Sequence, residues 1–488
     1  MIAQVSKSEI VIFTFVIIVK FIPYSALKNW ADNKITFFEG IGMRTIAILI
    51  LLLMSNGLFT PVSADSGKRL KITAEKSSHQ FPFFDTQTPV WAYNGSIPGP
   101  TIRGRKGETI EIEFFNNLDE PSSIHWHGLI VDNAMDGVPG VTQDPVKPGE
   151  SFTYRLKLQD AGTYWYHPHF NGSEQLGHGL KGALIVESNE KLPWSQDIVW
   201  LIDDWLLEKT GSIYPNFNTR HDLMHDGRWG NAVTINGVYQ PGSSVSPGER
   251  IRIRLINGAN ARVLTPIFNG VNAKVIAVDG KPVTQIFPYN GFVLAPGNRI
   301  DLDITIPADA QGQSYLVEDG FTRNRFPLAS LKVKEVQPIQ TPAFIPPTAE
   351  NFLPADLFSD ATPSKTWDLD AIRGGQYGIG WAMNRLLWPD SDTADIRLGQ
   401  PQKIVFNNNS SRLHPMHIHG TFFRVLERNG KPEAEPFTRD TVLLNARESI
   451  VIGLMPTEPG IWLSHCHIQS HAEAGMMTTV NVASQNQN

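Results

Sequence analysis

The chain has 488 residues, with 42 Lys and Arg against 48 Asp and Glu, a net charge of −6 and one cysteine. That mildly acidic balance argues against nucleic acid as a partner, and a lone cysteine excludes an internal disulfide. The 40 Gly and 34 Pro, with few long helical stripes, argue against a helical chain and suit short strands joined by many turns.

Two apolar runs open the chain. Met43-Arg44, the run Thr45–Met54 and the small residues Val62-Ser63-Ala64 have the charged start, apolar core and cleavage site of a secretory signal, with cleavage expected after Ala64. Residues 1–64 then form a leader, with 43–64 the signal and 1–42 a gene-start extension ahead of a true start at Met43. The run Ile10–Ile22 contains Lys20, is followed by Pro23 and falls short of the roughly 20 residues that span a bilayer, so a membrane anchor is not expected. The leader carries five basic and three acidic side chains, and its loss takes the net charge from −6 to −8.

About 420 residues remain, too many for one ordinary core and enough for three domains of about 140. They are placed at 66–187, 188–335 and 366–488, and residues 336–365, with Pro338, Pro342, Pro346, Pro347, Pro354 and Pro363, read as a linker. In the first domain Glu108–Phe114 alternates polar with apolar residues, the pattern of a half-buried strand. His125-Trp126-His127-Gly128 follows, then Asp136 in Met135-Asp136-Gly137-Val138-Pro139-Gly140, whose plain reading is a turn cap. His167-Pro168-His169 comes next, and His178 reads as a surface or hydrogen-bonding residue; His79 also lies outside these motifs.

In the second domain His221 and His225 sit at i and i+4 and can share a metal if helical. Gly227 and Gly230 nearby suggest a loop instead, and hence surface residues. Ser246-Pro247-Gly248-Glu249 echoes Lys147-Pro148-Gly149-Glu150 and favours duplicated domains. Arg250–Leu255 alternates like a half-buried strand. This domain has no His-x-His, so it is expected to bind no metal and to hold its neighbours apart.

The third domain carries His414-Pro415-Met416-His417-Ile418-His419, then His465-Cys466-His467, His471 and Met476. Ten of the fourteen histidines fall in these four clusters. On a strand, residues i and i+2 point to one face, roughly 6.6 Å apart, so each His-x-His can grip neighbouring metal ions. The same alternation turns Cys466 away from His465 and His467, and one tripeptide can then touch two metal sites. Two histidines, a thiolate and a weak methionine describe an electron-transfer copper site.

These segments resemble the four copper-binding motifs of the multicopper oxidases, the family of laccases, ascorbate oxidases and bacterial cuprous oxidases, over residues from about 75 to 485. The resemblance implies an all-β protein of three cupredoxin-like Greek-key β-sandwich domains. It implies four copper ions: a type 1 ion on His414, Cys466 and His471 with Met476 axial, and a type 2 ion on His125 and His417. One type 3 ion would take His127, His167 and His467, and the other His169, His419 and His465. Asp136 matches the family's proton-relaying aspartate. Glu473 stands where a relay is in doubt, because Ala472 directly follows the last type 1 histidine, and an exposed, solvated carboxylate is an equal reading.

The implied activity is a laccase-type oxidation of phenols or aromatic amines coupled to reduction of O2 to water, with electrons entering at whichever ring edge of His414 or His471 is exposed. The alternative is oxidation of Cu(I) in copper tolerance. Cuprous oxidases of this shape often bear a Met-rich segment, and this chain has 10 Met and no such run. A structural relative that has lost its copper would lack the ligands that are present here. The expected partners are O2 and a small reducing substrate. The protein is expected to be a monomer, exported to a periplasmic or extracellular space.

Overall fold

The computed structural model describes residues 68–190 and 192–484. The leader, its signal and the proposed extension lie outside the described residues. Among those described, no helix is long and apolar enough to cross a membrane.

The strands form three successive pairs of sheets. The first pair sets Thr88–Tyr93, Lys68–His79, Thr109–Asn117 and Ser151–Lys157 against Gly99–Arg105, Gly182–Glu187, Gly162–His167 and His125–His127, each in that order. In the second, a six-stranded sheet centred on Arg250–Asn257 and Arg299–Thr305 faces a four-stranded one. The third opposes a six-stranded sheet, containing Pro363–Arg373, Gln402–Asn408 and Ser449–Leu454, to a five-stranded sheet. The latter runs Ala394–Arg397, Met477–Ala483, Gly460–Cys466, His414–Ile418, Thr441–Leu444.

One pairing recurs in all three. Lys68–His79 lies parallel to Thr109–Asn117, Gln196–Trp205 to Arg250–Asn257, and Pro363–Arg373 to Gln402–Asn408. Parallel neighbours cannot be joined by a hairpin, so the chain crosses to the opposite sheet between them, and each unit closes as a Greek-key sandwich.

Alternation explains the first core. In Thr109–Asn117, Ile110, Ile112 and Phe114 turn inward and are fully buried, while Glu111 turns outward and pairs with Arg69 on the neighbouring strand. The same reading fails in the second domain. Arg250–Asn257 is buried on both faces: Arg254 donates to Asp197 at 2.6 and 2.7 Å and to Thr163 of the first domain at 2.8 Å, and Arg252 pairs with Asp301. Alternation identifies the face turned from a strand's own core. Here that face is covered by the neighbouring sandwich, and its charges are paired rather than solvated.

The two Pro-Gly-Glu turns share a mechanism. Gly149 and Gly248 have φ near +79° and +74°, and Glu150 and Glu249 each close the turn on the backbone three residues back. They enter strands that are not equivalent, however. The first leads into the edge strand Ser151–Lys157 and the second into the parallel-paired Arg250–Asn257. The repeat is one of turn chemistry, and the duplication lies in the parallel pairing instead. The strand opening the third sandwich begins at Pro363, inside the expected linker, and Phe358 just before it is fully buried against Gly453.

Three short helices pack around the histidine-bearing strands: α1, Gly172–Gly177; α2, Arg220–Met224; and α3, Gln469–Glu473. α2 corrects the loop expected around His221. Thr219 and Asp222 form a reciprocal capping box that starts the helix, and Gly227 lies beyond its end. His178 caps α1, stacks on Trp91 with ring centroids 4.5 Å apart, and its carbonyl accepts the Trp91 amide at 2.9 Å. Burial, with the Arg228 and Lys181 charges nearby, pushes its pKa down to about 4.

A base whose folded pKa is depressed stabilises the fold above its unfolded value, and that contribution is lost as pH falls toward the folded pKa. For His178 the loss by pH 5 is about 2 kcal/mol. His178→Phe keeps the aromatic stack, so its thermal midpoint should fall less than that of the unsubstituted protein between pH 7 and pH 5. Equal falls in calorimetry would assign the acid sensitivity elsewhere.

Candidate metal centre

Two strand pairings gather the histidines. His125 lies opposite His167 where His125–His127 meets Gly162–His167, and His417 lies opposite His465 where His414–Ile418 meets Gly460–Cys466. Each His-x-His presents both rings to one side: centroids are 5.8 Å apart for His125 and His127, 6.1 Å for His167 and His169, 4.9 Å for His417 and His419, and 5.5 Å for His465 and His467. The eight rings form one cluster between the first and third domains, all buried except the half-buried His169.

Their hydrogen bonds sort the ring nitrogens. The Nδ1–H of His125, His167, His417 and His465 donates to the main-chain oxygens of Asp136, Pro168, Asp440 and Cys466 at 2.8–2.9 Å. His419 Nδ1–H donates to Asp136 Oδ2 at 2.8 Å, and His127 is turned over, donating Nε2–H to Asp440 Oδ1 at 3.2 Å. The opposite nitrogens carry lone pairs. His125 Nε2, His417 Nε2, His127 Nδ1 and His167 Nε2 are buried without a partner, as are both nitrogens of His467. His465 Nε2 lies 3.2 Å from His419 Nε2 and 3.4 Å from His169 Nε2. Unprotonated nitrogens facing each other at that distance repel unless a cation lies among them, and buried polar atoms are rarely left unpaired without reason.

Burial first, and the neighbouring histidines second, push His127, His167, His169, His417, His419 and His467 well below the usual imidazole range. Burial takes His465 to about 4. These rings are neutral at pH 7, the form that binds metal.

A second group lies on the other side of the Cys466 backbone. Cys466 Sγ is 3.7 Å from His414 Nδ1 and 3.9 Å from His471 Nδ1, and those nitrogens are 3.2 Å apart. Ser410 Oγ holds His414 Nε2 at 3.0 Å, and His471 Nε2–H donates to the His225 carbonyl at 2.9 Å, which leaves both Nδ1 lone pairs facing the sulfur. Burial pushes the Cys466 thiol far up, so a thiolate there needs a cation beside it. Met476 is fully buried in the apolar cluster around Cys466 and its carbonyl accepts the Cys466 amide at 3.1 Å; Met477 is only half-buried. The expectation of an exposed ring edge fails: His414 and His471 are both completely buried.

Asp136 is 1 % exposed and lies between His125 and His419. Glu473 is a correction. Its carboxylate is largely buried, accepting the Ser173 amide at 2.6 Å and the Asn218 side chain, and burial pushes its pKa up. It joins α3, which carries His471, to α1 of the first domain, half-buried and hydrogen-bonded rather than exposed.

Asp440 and Arg299 escape a reading of the sequence. Asp440 mirrors Asp136 across the domain seam. Each gives its main-chain oxygen to a histidine of its own domain, His417 and His125 respectively, and its carboxylate to one of the other, His127 and His419. Arg299 donates to both Asp440 oxygens at 2.8 and 2.7 Å, and to the carbonyls of Thr163, Asp279 and Gly297 at 3.1, 2.8 and 3.1 Å. Its guanidinium explains the glycine of His125-Trp126-His127-Gly128: a Cβ on Gly128, where φ is +86°, would lie 2.1 Å from Arg299 Nη2. A pairing of side chains 141 residues apart leaves no local signature.

Removing one partner of a buried ion pair leaves an uncompensated charge, at a cost of about 3–5 kcal/mol. Asp440→Ala should therefore lower the chemical-denaturation midpoint steeply and reduce the metal retained after dialysis. An unchanged midpoint would show that Arg299 finds another anion.

Multicopper oxidase family models match residues 76–191, 196–330 and 360–486. Multicopper oxidase MmcO of Mycobacterium tuberculosis is 30% identical over 426 residues, 80% of this chain and 82% of that protein. A laccase of Cryphonectria parasitica is 28% identical over 80% of this chain and 78% of its own length. The crystal structure of a multicopper oxidase from Pseudomonas thermotolerans superposes with a TM-score of 0.76 at 30% identity, covering 86% of this chain and 100% of that one. With three family models matched in order along three sandwiches, the chain belongs to the multicopper oxidases, oxidoreductases that use copper and O2.

Proposed function

We propose that this protein couples one-electron oxidation of a small reducing substrate, of laccase type a phenol or aromatic amine, to four-electron reduction of O2 to water. The observation that carries this reading is the separation of His414, Cys466 and His471 from a cluster of eight histidines on the other side of the Cys466 backbone, and the division of that cluster among three ions is what the family resemblance implies. His414, Cys466 and His471 with Met476 would hold a type 1 copper, and His125 with His417 a type 2 copper. His127, His167 and His467 would hold one type 3 copper, and His169, His419 and His465 the other. Copper at these positions would supply one-electron storage at four centres and the place where O2 is reduced without release of partly reduced oxygen.

The chain's own part is orientation, connection and proton supply. Cys466 joins the mononuclear set to the cluster through covalent bonds alone, since His465 and His467 are its neighbours. Asp136 holds the His419 ring and keeps Oδ1 without a hydrogen-bond partner, the free acceptor a proton relay needs. Glu473, bonded to Ser173 and Asn218, serves better as a clamp on α3 than as a relay. The signal-like residues 43–64 support an exported protein.

Oxidation of Cu(I) is the second reading, and the exposed His221, Met224 and His225 beside the mononuclear set favour it. The His225 carbonyl covers His471, so a reductant delivers its electron through the segment around α2 and not to a bare imidazole edge.

Oxygen uptake by the copper-loaded protein should be saturable with 2,6-dimethoxyphenol, and the Cys466→Ser variant should lose both uptake and the blue thiolate–copper absorption. A preference for Cu(I) supplied separately would make the protein a metallo-oxidase, and no uptake from either reductant in a blue protein would sink both substrate assignments. Asp136→Asn should keep the blue band and lose about 100-fold in turnover, with the deficit growing as pH rises and bulk protons become scarce. A pH-independent deficit would point to ring orientation instead.

A further inference from the structure

We propose that His221, Met224 and His225 form a surface site for Cu(I), placed to pass the ion's electron to His471. This deepens the Cu(I) reading and rests on His414, Cys466 and His471 holding copper.

The capping box at Thr219 fixes how α2 turns. Asp222 and Leu223 face inward and are buried, which leaves His221, Met224 and His225 on the outside, Met224 at 44 % exposure. His221 and His225 stand one helical turn apart with ring centroids 4.4 Å from each other. The segment is held against the mononuclear site at three points. Trp381, whose ring lies 4.4 Å from His471, donates its indole N–H to the Leu223 carbonyl at 2.9 Å. His471 donates to the His225 carbonyl at 2.9 Å, and the Leu413 amide, next to His414, donates to Asp226 Oδ1 at 2.9 Å.

The donor set selects the ion. Two imidazoles and a thioether are soft and few, which suits Cu(I), whereas Cu(II) prefers a tetragonal set of nitrogen and oxygen ligands that these three residues do not offer. The oxidised ion is therefore the weaker binder and leaves. The Met224 sulfur accepts a hydrogen bond from Arg220 Nε at 3.3 Å, a weak contact between exposed side chains that an incoming ion displaces.

From the His225 ring the path runs through its own Cβ, Cα and carbonyl, then across one hydrogen bond to His471. Each Cu(I) gives one electron and departs as Cu(II); four such ions, four protons and one O2 yield two waters.

The test uses silver nitrate in chloride-free buffer, since Ag(I) has the coordination preferences of Cu(I) and is not oxidised. Under a competing chelator the copper-loaded full chain should retain one Ag(I) more than His221→Ala or Met224→Leu. KM for Cu(I) should rise about tenfold in His221→Ala, the scale on which loss of a supporting residue weakens a metal site. Equal silver retention in all three proteins, or an unchanged KM, overturns the site. The silver titration reads this site whatever the state of the mononuclear centre, and the blue absorption reads that centre whatever the silver does, so the two failures are distinguishable.

Discussion

Arg299 is the group on which the arrangement of the cluster depends. All five of its N–H donors are used, and their acceptors lie in all three domains: Thr163 in the first, Asp279 and Gly297 in the second, both oxygens of Asp440 in the third. A planar, five-donor fork can do this at full burial where an ammonium cannot. The histidines come only from the first and third domains, and neither domain can set the spacing of the two half-sites alone. The second domain, expected from its lack of His-x-His to act as a spacer, also supplies the cation that locks Asp440, and through Asp440 the rings of His127 and His417.

The electrostatics follow from that placement. Asp279 accepts the Arg299 amide at 2.8 Å and lies beside Asp440, so burial and the Asp440 charge push its pKa up to about 6 despite Arg299. Two carboxylates share one guanidinium next to a cluster in which burial keeps His127, His167, His169, His417, His419, His465 and His467 neutral, which leaves excess negative charge beside a pocket of inward-facing lone pairs. Such a pocket is costly when empty and favourable around cations. The reciprocal use of Asp136 and Asp440 gives the pocket an approximate twofold character. Each domain fixes one histidine of its own through a carbonyl, which cannot titrate, and one of its neighbour through a carboxylate.

Much of this was legible in the sequence, for a physical reason. A strand repeats every two residues, so His125 with His127 and His417 with His419 announce a shared face without any knowledge of the fold. The alternation that turns Cys466 away from His465 and His467 is the same arithmetic. What the residues hid depends on contacts distant in the chain. Arg252 and Arg254 looked solvated because alternation cannot say which sandwich covers an outer face. Glu473 looked exposed because α1 is far away in sequence. Gly227 and Gly230 suggested a loop over His221, but the capping chemistry at Thr219 and Asp222 started a helix first.

The covering of His471 bears on how the enzyme can choose its reductant. A buried thiol and two neutral imidazoles form a good electron-transfer site because little around them has to reorganise, and excluding water serves that end. The His225 carbonyl closes the side on which the His471 ring would otherwise meet solvent. The face over His471 is formed by residues 219–229 of the second domain together with Trp381 and Leu413 of the third, while the histidine cluster lies between the first and third. The second-domain segment and the mononuclear set are thus joined by three hydrogen bonds, from Trp381, His471 and Leu413 to Leu223, His225 and Asp226. Relatives that share the metal ligands can differ in substrate without any change at the centre itself.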